Sequence, residues 1–129
     1  MKKDITNRED VHTLVTTFYS RIRSDVYLGP IFNKHIEDWP QHVEHLTDFW
    51  EGNLFFKKIF NGRPLQTHKR VDSDEGYTIN EQHFGVWLNH WVQTVDELYK
   101  GELAEMAKFR ARKIGTFFLV NMFHAKPMQ

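Results

Sequence analysis

Apolar residues recur with the period of an α-helix along four stretches, and this spacing constrains the fold more than any other feature. The first two stretches run from about Arg8 to Arg23 and from near Pro40 to about Ile59. The third covers about Glu81 to Tyr99, and the fourth follows Gly101. Strict two-residue alternation persists nowhere, so the pattern favours helices over a sheet. The sequence therefore predicts an all-α fold.

The ends of these helices carry recognisable signals. Thr6 and Glu9 have the spacing of a capping box just ahead of the first helix. Gly29-Pro30 interrupts the periodic pattern, so a turn or short helix is expected between Val26 and Asn33. The polar, glycine-containing segment from Asp72 to Tyr77 is predicted to be a loop.

The predicted inward faces follow the helical spacing, and the best defined lies on the first helix. They consist of Val11, Leu14, Val15, Phe18, Tyr19 and Ile22 on the first helix, and of His42, Leu46, Phe49, Asn53 and Phe56, flanked by Val43 and Trp50, on the second. On the third they are Phe84, Trp87, Leu88, Trp91, Val95 and Leu98, and on the fourth Leu103, Met106, Ala107, Arg110, Ile114, Phe117, Phe118 and Asn121. Burying one such face on each helix would build a single core.

Length and charge restrict the class of protein. The chain has 129 residues, so a single domain over residues 1–129 is expected. Its formal net charge is 17 − 17 = 0, which argues against a nucleic-acid binder. It contains no apolar run long enough to cross a bilayer. The first lysines are followed by no apolar stretch, so no signal peptide and a cytoplasmic location are expected.

The chain has no cysteine. Disulfides, thiolate zinc sites, iron–sulfur clusters and the thioether attachment of a c-type haem are therefore excluded. Any haem would be held non-covalently. The eight histidines are the remaining candidates for metal ligation.

His68 lies in an irregular segment of about twenty residues between the second and third helices, and such segments are often functional. A haem iron needs one strong axial ligand and prefers a neutral imidazole, and His68 is a candidate. The neighbouring Lys69 and Arg70 could reach haem propionates at the edge of a slot. The alternative interpretation is a solvated surface histidine.

The remaining histidines give weaker signals. His42 lies on an inward stripe, where a core-edge histidine bonded to backbone is the ordinary interpretation. With His45 it forms His-x-x-His, but no further zinc ligands follow at a recognisable spacing. A di-iron bundle is disfavoured, because only one Glu-x-x-His repeat is present. The other histidines are interpreted as surface or interface residues: His12, His35, His83, His90 and His124.

Taken in order, several short motifs resemble the truncated haemoglobins, and within them the third group. The motifs are Phe18-Tyr19, Leu28-Gly29-Pro30-Ile31-Phe32, Trp39, His42, Phe49-Trp50, Asn61-Gly62-Arg63-Pro64-Leu65, His68, His83-Phe84, Trp87-Leu88, Trp91 and Thr94-Val95-Asp96-Glu97-Leu98-Tyr99. The resemblance covers roughly Val11 to Phe123. One departure is the stretch after His68, where family members often carry prolines and this chain has none before Tyr77.

The resemblance implies a shortened globin fold, in which two antiparallel helix pairs stack across each other around one haem b. It implies that His68 is the proximal iron ligand and that Phe32 packs against the haem face. Lys69 and Arg70 stay as candidates for the propionates.

On the opposite side of the haem, the resemblance implies that Tyr19, His42 and Trp87 line the distal pocket. Leu46 and Trp50 would continue its apolar wall. The hydroxyl of Tyr19 and the indole N–H of Trp87 would then donate hydrogen bonds to a bound gas, and His42 would act as a third donor or as a gate.

The function implied by the resemblance is binding of O2, or of NO or CO, at a pentacoordinate haem. One alternative is a haem-dependent oxidoreductase with peroxidase-like or NO and nitrite chemistry, which would bring in a reductase partner. Another is a haem-free helical interaction module, in which the same aromatic residues form an ordinary core. A coloured protein with a strong Soret band would separate the haem proteins from this last alternative.

Overall fold

In the computed structural model, residues 2–56, 70–72 and 79–125 are described, with side chains up to residue 120. The helices within these residues are α1 (Arg8–Ser24), α2 (Gly29–His35), α3 (Trp39–Phe55), α4 (Glu81–Leu98) and α5 (Glu102–Ala125). Residues 70–72 are also helical, so the predicted loop cannot begin at Asp72. The described residues contain no strand, and the predicted all-α fold is confirmed.

The α1 helix begins one residue later than the capping-box spacing predicts. Asn7 is the N-cap, and its side chain accepts a hydrogen bond from the N–H of Asp10 at 2.9 Å. The predicted cap, Thr6, instead donates its own N–H to Asp10 Oδ2 at 2.9 Å. Either residue type can cap a helix, and the extended backbone of Asn7 decides between them.

Asp25 fixes the turn from α1 into α2. Its Oδ1 accepts hydrogen bonds from the N–H groups of Tyr27 and Leu28, each at 2.8 Å. Its Oδ2 lies 2.7 Å from Nε2 of His90 on α4. A Cβ at Gly29 would lie 2.7 Å from the backbone oxygen of Arg23, so the close approach of α2 to α1 requires glycine here.

The core lies where α1 crosses between the other helices. Helix α1 packs against α3 and α4, and α4 packs against α5. The predicted inward face of α1 is confirmed, since all six of its residues are buried. Trp91 of α4 lies at the centre, stacked on Trp50 with ring centroids 4.5 Å apart and edge-on to Phe18 at 5.0 Å.

The predicted inward faces of α3 and α5 differ from the buried ones. On α3 the buried residues are Thr47, Trp50, Glu51 and Leu54, whereas the predicted His42, Leu46, Phe49 and Asn53 are only partly buried. Phe56 is 76% exposed, because α3 ends at Phe55 and Phe56 takes a left-handed conformation with φ of 60°. Phe117 is 53% exposed, because the small residues Ala104, Ala107 and Ala111 form the buried stripe of α5 and turn Phe117 outward.

A cluster of charges joins α1 to α3 outside the core. The Nη1 atom of Arg8 lies 2.7 Å from both Asp48 Oδ1 and Glu51 Oε1, and its Nη2 atom lies 2.8 Å from Glu44 Oε2. The hydrogen bonds that Arg8 donates to these three carboxylates raise the pKa of its guanidinium. Within the described part of the chain, we find no helix that is long and apolar enough to span a bilayer.

Candidate functional site

A cavity of about 340 Å³ opens between the helices, and it is within the size range of small-molecule sites. All five helices and residues 70–72 contribute to its wall. The wall is mainly apolar, with Phe18, Leu28, Ile31, Phe32, Ile36, Leu46, Phe49, Trp50, Val71, Ile79, Phe84, Trp87, Ile114 and Phe118. Such a wall suits a large apolar ligand.

Tyr19 brings a hydroxyl group into this apolar wall. Its side chain is only 7% exposed, and burial raises its pKa above the usual value. The hydroxyl therefore stays protonated and able to donate at neutral pH. None of the hydrogen bonds found among the described residues involves it, whereas the equally buried Tyr99 hydroxyl donates to the Asp10 carbonyl at 2.9 Å. The Tyr19 hydroxyl is thus available to a ligand in the cavity.

His42 lies beside Tyr19 on the facing helix. Their ring centroids are 5.1 Å apart and the rings are nearly perpendicular, at 81°. The Nε2 atom of His42 is buried, although the residue as a whole is only partly buried. His42 therefore extends from the mouth of the cavity inward.

Two parallel tryptophans on α4 have different environments. The rings of Trp87 and Trp91 are 6.4 Å apart with an interplanar angle of 2°. The buried indole N–H of Trp91 donates to the carbonyl of Ala107 at 3.1 Å, which ties α4 to α5. Trp87 lines the cavity. Of the two indoles, Trp87 is the one placed to meet a ligand.

The other predicted haem-contact residues divide into those the structure places and those it does not. Phe32, Leu46 and Trp50 line the cavity, as does the exposed Arg70. His68 and Lys69 lie outside the described residues, so their predicted roles stay predictions.

Two histidines that were interpreted from the sequence as surface or interface residues, His35 and His83, line the cavity as well. His83 is fixed by the start of α4, because the N–H of Asn80 donates to its Nδ1 at 3.0 Å in a capping box. Tyr27 stacks on its ring at 4.6 Å. The Asn80-x-x-His83 spacing could have predicted where α4 begins, but it does not indicate that His83 lines a cavity.

His45 and His90 also have definite places. His45 is exposed and belongs to the cavity wall one turn from His42, so it lies at the mouth. His90 is half-buried, and its Nε2 lies 2.7 Å from Asp25 Oδ2, which corrects its interpretation as a surface or interface residue.

Comparisons with known proteins agree with this geometry. The chain is 30% identical over 122 residues to the group 3 truncated haemoglobin ctb of Campylobacter jejuni, covering 92% of each chain. The crystal structure of the group III truncated haemoglobin from Campylobacter jejuni matches with a TM-score of 0.85 and 28% identity, over 99% of this chain and 100% of that one. No family model matches.

The chain belongs to the group 3 truncated haemoglobins. Membership in this family makes it a globin-type haem protein, and it confirms the predicted shortened globin fold.

The cavity of this truncated haemoglobin fits a haem by its chemistry. Haem is a flat apolar group with two propionates at one edge, and the wall combines aromatic and aliphatic side chains with Arg70 and His45 at exposed positions. The available Tyr19 hydroxyl has no structural use in the described part of the chain, and a polar ligand at the haem would give it one.

Proposed function

We propose that this truncated haemoglobin holds a non-covalent haem b in the cavity and binds O2, or another diatomic gas, beside Tyr19. The available Tyr19 hydroxyl carries the proposal, since it lies in an apolar wall where a group that gains no partner is costly. When bound, haem would supply an iron with an open position for the gas. The absence of cysteine supports non-covalent attachment.

The proximal side of the site rests on His68. Its position in the irregular segment and its match to the family motif support the role of axial ligand. Lys69 and Arg70 are proposed to pair with the propionates, and the exposed position of Arg70 in the cavity wall supports its part.

On the distal side, Tyr19 and Trp87 are proposed as the donors that stabilise the bound gas. Binding of O2 shifts negative charge onto its oxygens, and donors held in a water-poor pocket stabilise this charge strongly. Burial keeps the Tyr19 hydroxyl protonated, and the stacked Trp91 keeps the Trp87 ring parallel to itself. Two such donors would slow gas release.

We propose that His42 controls access and is not a permanent iron ligand. Its ring extends from the mouth to a buried Nε2 and contacts Tyr19 edge-on. A permanent second axial ligand would close the position at which the gas binds. His42→Leu should therefore keep the haem and change the association rate more than the dissociation rate.

The test is the absorption spectrum of the protein supplied with haem, followed by addition of CO and O2 to the ferrous form. We expect a strong Soret band at one haem per chain, a five-coordinate ferrous spectrum and reversible gas binding. A protein that takes up no haem would exclude the proposal. A six-coordinate ferrous spectrum that becomes five-coordinate in His42→Leu would instead make His42 an internal ligand.

A further inference from the structure

The structure assigns a role in ligand access to two residues outside the cavity wall, Arg23 and Trp39. We propose that the Arg23–Trp39 pair holds the His42 ring in its inward position and so sets the rate at which a gas enters. This inference rests on the proposed role of His42 as an access residue.

The four residues involved form two layers. Tyr19 and Arg23 are four positions apart on α1, and Trp39 and His42 are three positions apart on α3. Both spacings put the two residues of a pair on the same face of their helix. Tyr19 and His42 therefore make an inner layer at the cavity, and Arg23 and Trp39 make an outer layer above it.

Trp39 contacts both members of the inner layer. Its ring centroid lies 5.6 Å from that of Tyr19 and 5.6 Å from that of His42, and the Trp39 and His42 rings are nearly perpendicular at 85°. Trp39 does not line the cavity. Because Trp39 contacts the His42 ring from outside the cavity wall, it limits movement of that ring away from the cavity.

Arg23 lies over the Trp39 ring. Its guanidinium carbon lies 4.7 Å from the centroid of the Trp39 ring, which is the geometry of a cation–π contact. Arg23 is exposed and Trp39 is partly buried, so the contact can open without disrupting the core. Opening of this contact would free Trp39 and, with it, His42.

The expected effect follows from the strength of an exposed cation–π contact. Arg23→Met keeps much of the aliphatic side chain and removes the cation. We expect CO to associate with the ferrous haem protein about two- to fivefold faster, which corresponds to about 0.5–1 kcal/mol. Trp39→Leu should have at least this effect, Arg23→Lys a smaller one, and CO dissociation should change in none of them.

The association rate is best measured by recombination after flash photolysis, with Lys113→Met as the matched control. Lys113 also lies over an aromatic ring, Phe109 at 4.9 Å, and neither residue lines the cavity. A second readout is the labelling rate of His42 by a histidine-specific reagent, followed by mass spectrometry. It should rise by a similar factor in Arg23→Met, while that of His12 stays constant.

The double variant Arg23→Met/His42→Leu decides between a specific and a general effect. We expect it to bind CO at the rate of His42→Leu alone, because the Arg23–Trp39 pair acts through His42. Unchanged rates in both Arg23→Met and Trp39→Leu, with a faster His42→Leu, would overturn this inference and leave the proposed role of His42 standing. An unchanged rate in His42→Leu would overturn both.

Discussion

Removing the Tyr19 hydroxyl should speed gas release without weakening the fold. In Tyr19→Phe the ring keeps its place against Phe18, at 4.8 Å between centroids, and only the oxygen is lost. A hydrogen bond to a charged acceptor contributes about 1.5–3 kcal/mol. Its loss should therefore raise the O2 dissociation rate by about one to two orders of magnitude.

The same substitution should not lower the free energy of unfolding. The Tyr19 hydroxyl takes part in none of the hydrogen bonds found among the described residues, so its removal should leave the stability of the haem-free protein unchanged or slightly higher. Tyr99→Phe is the matched control, because Tyr99 is equally buried but donates to Asp10. It should lose about 1 kcal/mol of stability and keep its O2 dissociation rate.

Stopped-flow measurement of O2 release and urea unfolding of both variants test this argument together. The expected result is a crossed pattern, with a kinetic effect only in Tyr19→Phe and a stability effect only in Tyr99→Phe. If Tyr19→Phe releases O2 at the original rate, the hydroxyl does not bind the gas. If it is instead destabilised by about 1 kcal/mol or more, the hydroxyl has a structural partner, and the reasoning fails.

Two further predictions concern the elements that position the site. Gly29→Ala should lower stability in urea unfolding by about 1–3 kcal/mol, because its Cβ would lie 2.7 Å from the Arg23 carbonyl. Gly85→Ala, where a Cβ meets nothing within 4 Å, should raise stability by up to about 1 kcal/mol; equal effects would refute the packing argument. The hydrogen bond with His90 lowers the pKa of Asp25 below its usual 3.8. The ionised Asp25 therefore contributes fully to the free energy of unfolding above pH 3.8, and this contribution is lost as the pH falls below that value. Asp25→Asn should flatten this acid limb of the stability curve, and an unchanged limb would contradict the assignment.

The inward face of α1 was predictable because its apolar spacing and its burial obey the same helical period. All six residues from Val11 to Ile22 that the pattern selects are buried. The same reasoning failed for Phe117, because it treats every apolar residue on a broad face alike. The alanines of α5 allow close packing of that helix, and this depends on its neighbours in space.

The cavity was predictable only in part for a related reason. Tyr19, His42 and Trp87 came from the order of family motifs and all line it. His35 and His83 belong to the same wall but lie on elements far apart in sequence. Only the packing of α2 and α4 around the cavity brings them together, and local spacing contains no information about it.

The most direct test of the proposed haem site is the ferrous absorption spectrum of His68→Gly with and without added imidazole. If His68 is the axial ligand, the variant should lose the five-coordinate spectrum of the original protein, and imidazole should restore it by filling the vacated space. His90→Gly is a suitable control, since His90 contacts Asp25 and does not line the cavity. An unchanged Soret band in His68→Gly without imidazole would contradict the account.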